Sequence, residues 1–395
     1  MHQLNINRQD GGIPKTLPGE DHISGLIAYL TENNLPQGFA LWDKPMCIRS
    51  LAAAEALGIT DQEQSADLTF LHYHLKEIFR TNPACVLYLL IAHYPEDVAQ
   101  EYREVFTLQK FAGGSIRQMG VWDPYLILAA DTEMHQLEYL TGNADCCESA
   151  LHAPLSIIYA PSIDSLDTIP LENLAKQDWP RVSILIGQSG EENINKKLAD
   201  ADYTGISSIG TALGMLSRAK VHQSISWVKE FPTGIDKPAF NDAREYNVQD
   251  TDEIAQAAEA GFMFLRTYPS MAGSYFNDSR TLGKPTGDYN TIEAVRTMDK
   301  AVRGIRTYLT PELGGNIYID PETGKMQAHT VSHLETTANR ALEDMERAGE
   351  LSGYKVEIDP EQDVLSTSTV EIVIKQVPVG VMRKINVKIG FTKKV

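Results

Sequence analysis

The chain has 395 residues, of which 43% are hydrophobic and 22% charged. That is enough to bury one large core or two modest ones, which excludes a disordered tail or a minimal module. Fifty-three acidic against 35 basic residues give a formal charge of -18, which argues against nucleic acid as the main partner, because coating phosphates needs a concentrated Lys/Arg surface.

The opening residues, MHQLNINRQDGG, show no basic stretch leading into an apolar one, so no secretory signal is expected. The longest apolar runs, residues 86–92 and 126–130, fall far short of the roughly 20 residues that cross a bilayer. Cys47, Cys85, Cys146 and Cys147 lack C-x-x-C spacing, which predicts reduced, structural thiols in a cytosolic setting. Leu4 and Ile6 fall on one face of a short strand, and the stretch GGIPKTLPGED, with Gly11, Gly12 and Pro14 at its head, breaks it. Residues 1–30 therefore read as an arm, a hinge and a linker.

Residues 31–250 mix periods. Helix-like stretches at 51–57, 68–79 and 134–140 alternate with short apolar runs at 86–92, 155–159 and 182–186, which predicts α/β layering with central strands covered on both faces. Residues 251–395 are cleaner. Thr251-Asp252-Glu253 opens an alanine-rich helix that stops at Gly261, and residues 262–267 read as a buried strand. A long helix follows, with Ile292, Val295, Met298, Val302, Ile305 and Leu309 three or four apart and Thr310-Pro311 closing it. Leu334, Ala338, Ala341, Leu342 and Met345 mark a second helix that Gly349 ends.

The period then becomes two. Val370, Ile372 and Ile374, and later Ile385, Val387, Ile389 and Phe391, alternate with their neighbours, predicting two closing strands. Residues 375–395 hold six basic side chains, Lys384 and Lys388 among them, and no acidic one; that +6 within a total of -18 leaves -24 on the rest. Edge-strand lysines that block aggregation account for this pattern. So does a basic arm that crosses to the acidic body of another copy. The fold class expected is α/β (α+β), with mixed sheets, covering helices and terminal strand arms.

Candidate chemistry is sparse. Gly187-Gln188-Ser189-Gly190 has neither the G-x-S-x-G of a nucleophile elbow nor the Gly-Lys-Ser/Thr of a phosphate loop and reads as a strand-ending turn. His72 and His74, two apart on a helix, cannot readily share a metal. The acidic run of Asp242, Glu245, Asp250, Asp252 and Glu253 lacks calcium-loop order and reads as solvated surface. Gly113-Gly114 reads as a turn into a strand, and Trp42, Trp122, Trp179 and Trp227 as packing residues. No catalytic, cofactor or metal constellation emerges.

The stretch FMFLRTYPSMAGSYFNDSRTL from Phe262 to Leu282 resembles the corresponding segment of contractile tail sheath proteins. The helix bearing Arg296, Arg303 and Arg306, the GELSGY stretch from Gly349 to Tyr354 and the closing pair around Val377-Pro378-Val379 follow in the sheath order. Upstream, FAGGSIR from Phe111 to Arg117 and the opening from Gly11 to Leu26 are similar to the front of such proteins. The resemblance implies a structural, non-enzymatic subunit of a phage tail or related injection machine that polymerises helically around an inner tube and contracts. It implies Leu4, Ile6, Lys384, Ile385, Val387, Lys388, Ile389 and Phe391 as inter-subunit arms, and Gly11, Gly12 and Pro14 as a hinge. The implied partners are further copies of the chain, an inner tube protein, and baseplate and tail terminator proteins, in a virion tail assembled in the bacterial cytoplasm, with no nucleic acid, membrane insertion or cofactor. Two alternatives stay open: a soluble α/β enzyme with dispersed residues such as Ser189 and His222, and another tail component.

Overall fold

The computed structural model describes residues 19–30, 42–61, 66–94, 101–127, 133–162, 177–190, 206–240 and 251–392, with residues 35, 36, 38, 39 and 174. Leu4, Ile6, Gly11, Gly12, Pro14 and most of the acidic run lie outside the described residues.

A six-stranded sheet forms the body. Its strands are β1 (Ile23–Leu30), β2 (Met46–Ile48), β3 (Val86–His93), β4 (Gln118–Ile127), β5 (Ser156–Ser162) and β6 (Val182–Ile184), in spatial order β2-β3-β1-β4-β5-β6. All neighbours pair in parallel except the edge strand β2, which runs antiparallel to β3. Residues 23–30, expected in the linker, instead make a central strand of this sheet. Proximity to the flexible-looking opening hid an eight-residue run that is buried from Ser24 onward.

Both faces are covered, as the continuous apolar runs predict. Leu26, Ala28, Leu30, Leu89, Trp122 and Ile158 pack under α1 (Leu51–Ala56), α2 (Ala66–Thr81) and the later α5 (Ile209–Arg218). Ile27, Tyr29, Leu90, Val121 and Ile157 pack under α3 (Glu104–Phe111) and α4 (Glu133–Leu151). Each such buried aliphatic side chain contributes about 1.5–3 kcal/mol. α5 sits unusually close to its neighbours: a Cβ at Gly120 would meet Leu213 Cδ1 at 2.7 Å, and one at Gly214 would run into Thr81 Oγ1 of α2. The turn before β4 uses Gly113 and Gly114 at φ 62° and 76°, the left-handed region glycine tolerates.

The stretch read as a turn at Gly187 is a strand. β7 (Gly187–Ser189) pairs antiparallel with β8 (Pro238–Phe240), a partner some 50 residues away along the chain that no local signal announces. α6 (Thr251–Glu259) ends before Gly261 at φ 93°. The expected strand at 262–267 is shorter than read: only Leu265 and Arg266 form β9, paired with β10 (Tyr275–Phe276), while Met263 bridges Leu185 of the body. The C-terminal part contains α7 (Ile292–Leu309), closed by a 3-10 turn at Thr310–Glu312, and α8 (Ala328–Arg347). A two-stranded antiparallel ribbon follows, β11 (Leu351–Glu357) and β12 (Val373–Pro378), with the short α9 (Val364–Thr367) between its strands. No described helix is long and apolar enough to cross a membrane.

Candidate functional site

α7 is the element that fastens the C-terminal part to the body, and it does so with charge. Its buried stripe is Ile292, Val295, Arg296, Asp299 and Ala301, whereas Met298, Val302, Ile305 and Leu309 of the expected apolar face are half-buried. Asp299 takes the fork of Arg181, and Lys300 Nζ bridges Asp21 and Glu350 at 2.7 Å each. The fully buried Arg296 donates to the carbonyl of Ala219 at 3.3 Å, and burial pushes its guanidinium down to about 10. Arg117, paired with Glu20, is pushed down to about 9, first by burial and then by the positive charge of Arg303. A cavity of about 500 Å³ opens beside this network, lined among others by Asp21, Arg117, Lys300, Arg303, Arg306 and Glu350. Sequence reading missed this junction, although Arg296 stands four after Ile292 and Asp299 four after Val295, on the apolar face itself.

α8 packs on α7 through small residues, since a Cβ at Gly304 would come within 2.8 Å of the Ala341 Cβ. Ala301, Leu342, Met345 and Leu351 then form a core that carries the β11–β12 ribbon, with Ile374 against it. Neither ribbon edge pairs with a further strand among the described residues. Open edges of this kind accept added strands.

The first of the two closing strands is β12, starting at Val373. The second is not a strand here. Residues 379–392 have no regular secondary structure, and Ile385, Val387, Ile389 and Phe391 are 68%, 77%, 97% and 112% exposed. Lys384 and Lys388 are exposed beside them. The alternating pattern is therefore in place, but the segment pairs with no strand among the described residues, and a stable strand requires a partner. Where this segment begins, Arg383 pairs with Asp278 and Glu293.

Asp278 belongs to the Phe276-Asn-Asp-Ser-Arg280 stretch singled out in the sequence, and each polar member has a structural task. The Asn277 side chain takes the Phe264 N–H at 2.8 Å and donates to the Phe262 carbonyl at 3.0 Å, pinning the backbone on both sides of Met263. Ser279 donates to Glu293 at 2.6 Å, and Arg280 to Asp278 at 3.0 Å.

The enzyme alternative gains no geometry. Ser189 is fully buried in β7, where a nucleophile would meet no substrate, and His222 is half-buried beyond α5 with its Nδ1 unpartnered. His72 meets Glu55 at 3.0 Å, and the fully buried His74 packs edge-on against Trp122 at 4.6 Å. Among the described residues, no group of three or more His, Cys, Asp or Glu is placed to hold a metal.

Residues 1–280 match the DUF2586 N-terminal domain and residues 288–395 the DUF2586 C-terminal domain. No curated protein matches the sequence. Among solved structures, a chain of the anti-feeding prophage baseplate aligns over 100% of this chain and 99% of its own, with TM-score 0.63 and 15% identity. A chain of the contracted sheath complex of the extracellular contractile injection system PVC aligns over 99% of each, with TM-score 0.62 and 12% identity. The sheath tail protein of Desulfitobacterium hafniense aligns over 95% of this chain and 100% of its own, with TM-score 0.55 and 9% identity. The chain belongs to the DUF2586 family, and its fold is that of contractile tail sheath proteins.

Proposed function

We propose that this chain is the structural subunit of a contractile sheath, in a phage tail or a related injection machine, and that it has no enzymatic role. The observation that carries the reading is the pairing of a sheath fold over the whole chain with an exposed, alternating terminal segment that has no partner strand among the described residues. Copies assemble helically around an inner tube, because head-to-tail contacts that do not close produce a filament. Ile385, Val387, Ile389 and Phe391, with Lys384 and Lys388 between them, add as a strand to a neighbouring copy. Leu4 and Ile6 do the same at the other end, on the Gly11-Gly12-Pro14 hinge. Main-chain hydrogen bonds hold the copies while their bodies turn. Baseplate and tail terminator proteins cap the polymer, which assembles in the bacterial cytoplasm.

Negative-stain electron microscopy of the purified chain tests this reading. The full chain gives long helical tubes, and a chain ending at Arg383 stays a folded monomer. Ordered tubes from the truncated chain, or none from the intact one, would sink the proposal. The cut falls after Arg383, so that the buried Glu293 keeps its cation.

A further inference from the structure

Between β12 and Phe391 the C-terminal segment is tied to the body by one ionic clasp. β12 ends at Pro378, and among the described residues 379–391 only Arg383 enters a hydrogen bond or ion pair with the rest of the chain. Its Nε donates to Asp278 Oδ1 at 2.9 Å, and an NH2 group reaches Glu293 Oε1. Val379 and Val381 are half-buried, whereas Met382 and Ile385 on either side of Arg383 are largely exposed, so apolar packing does not hold the chain in place at Arg383 itself.

The cradle is built independently of its occupant. Glu293, buried in the first turn of α7, accepts from Ser279 Oγ at 2.6 Å through its other oxygen, and Ser279 Oγ lies 2.8 Å from Ser224 Oγ. Asp278 takes the Ser279 N–H at 2.8 Å on one oxygen and Arg280 Nε at 3.0 Å on the other. Two carboxylates are thus fixed side by side, one of them buried, and a guanidinium is the group whose fork satisfies both at once.

We propose that Arg383 is the positioning residue of the C-terminal arm: its clasp on Asp278 and Glu293 ties residues 379–382 down as a short loop, so the arm's first free joint lies after residue 383. Without the clasp, the joint would lie at the end of β12. The free lead to Ile385 shortens from six residues, 379–384, to one, and its maximum reach from about 20 Å to about 3 Å at roughly 3.3 Å per residue. A shorter lead of defined origin confines the apolar alternation that follows to a smaller volume, which raises its effective concentration at any edge within that radius. The consequence for assembly rests on the sheath reading, but the clasp itself belongs to the single subunit.

The experiment is therefore made on the unassembled full chain, isolated by size exclusion. The two exposed cysteines, Cys47 and Cys146, are replaced by serine, and a nitroxide is placed at Met382→Cys or, separately, at Val387→Cys. Electron paramagnetic resonance is expected to show an immobilised label at 382 and a mobile one at 387. Arg383→Met combined with Glu293→Gln, which leaves no buried unpaired carboxylate, makes the mobile component dominant at 382 and leaves 387 unchanged. Arg383→Lys, which can reach one carboxylate, retains part of the immobilised component. Asp278→Asn, which keeps Glu293 paired, gives an intermediate line shape and serves if the double variant fails to fold. Equal mobility at 382 with and without the clasp overturns the proposal, as does a label at 387 as immobile as the one at 382. A chain that passes this test but forms no tubes refutes the sheath reading and leaves the clasp standing.

Discussion

The guanidinium of Arg181, one residue before β6, grips the carboxylate of Asp299 on α7 through contacts of 3.0, 3.1 and 3.2 Å. Its other edge reaches Glu148 of α4 at 2.6 and 3.1 Å. One half-buried side chain therefore joins the sheet, a covering helix and the helix that carries the C-terminal ribbon. Removing Arg181 leaves Asp299 charged and buried, which costs about 3–5 kcal/mol, whereas removing Asp299 leaves Arg181 its second partner, Glu148.

Arg181→Met is expected to lower stability on that scale in urea unfolding, read by circular dichroism, and Asp299→Ala by less, because Glu148 still pairs with Arg181. The pair Arg181→Met with Asp299→Leu recovers part of the loss, since two apolar groups leave no orphaned charge. Equal losses for the double variant and for Arg181→Met alone would contradict the assignment. Limited proteolysis supplies a second readout, with cleavage between residues 283 and 291 rising in the single variants as α7 loosens from the body.

His74 makes stability fall in acid. Both ring nitrogens are buried without a partner, and burial pushes the imidazole down to about 3. The unfolded chain takes up a proton near 6.5, so its advantage grows from about pH 6.5 downward, by up to about 1.4 kcal/mol per pH unit. Asp123 acts with the opposite sign. Burial lifts its carboxyl to about 6, against the hydrogen bond it accepts from Tyr102. Its protonated form therefore favours the fold below about pH 3.8, and that contribution is lost as pH rises through about 6. Chemical denaturation between pH 7 and 4.5 separates the two: His74→Leu flattens the acid loss, and Asp123→Asn steepens it.

The close approach of α5 to α2 sets a third expectation. Gly214→Leu has no room against Thr81 and the carbonyl of Ile78, and overpacking of this kind costs about 1–3 kcal/mol. Its melting temperature should drop clearly, whereas Gly142→Ala on α4, with nothing within 4 Å of the added Cβ, should leave it level or raise it.

Local signals reached far into this fold where the determinants are local. α7 runs from Ile292 to Leu309, as the three-and-four spacing and Thr310-Pro311 predict, and Gly349 stops α8 at φ 74°. β7 escaped because its partner β8 is distant in sequence. β1 escaped as a central strand because parallel neighbours such as Val86 and Gln118 are joined to it only through intervening helices. The closing segment at 384–391 was legible as an alternating pattern and not as a structure, since a strand forms only where a partner edge is supplied and periodicity names no partner. The half-buried Arg181 and the buried Arg296 carried no mark except helical phase for the second, because composition does not record which charges burial will pair.

The arm proposed at residues 384–391 allows subunit stability and assembly to be tested separately. Ile389 and Phe391 are among the most exposed side chains of the described chain, so replacing them removes no native packing, and surface changes of this kind stay within about 0.5 kcal/mol. Ile389→Asp and Phe391→Asp should leave the melting temperature and circular dichroism of the subunit unchanged. If residues 384–391 add as a strand to another copy, both substitutions place a charge on the face that is to be buried, and tube yield by electron microscopy should collapse. Asn386→Thr, on the alternate face, should leave it intact. A one-residue insertion after Arg383 distinguishes the two ways an arm can work. Pairing fixed by the clasp would slip every side chain to the wrong face and abolish tubes, whereas a free tether would absorb the extra residue and assemble as before.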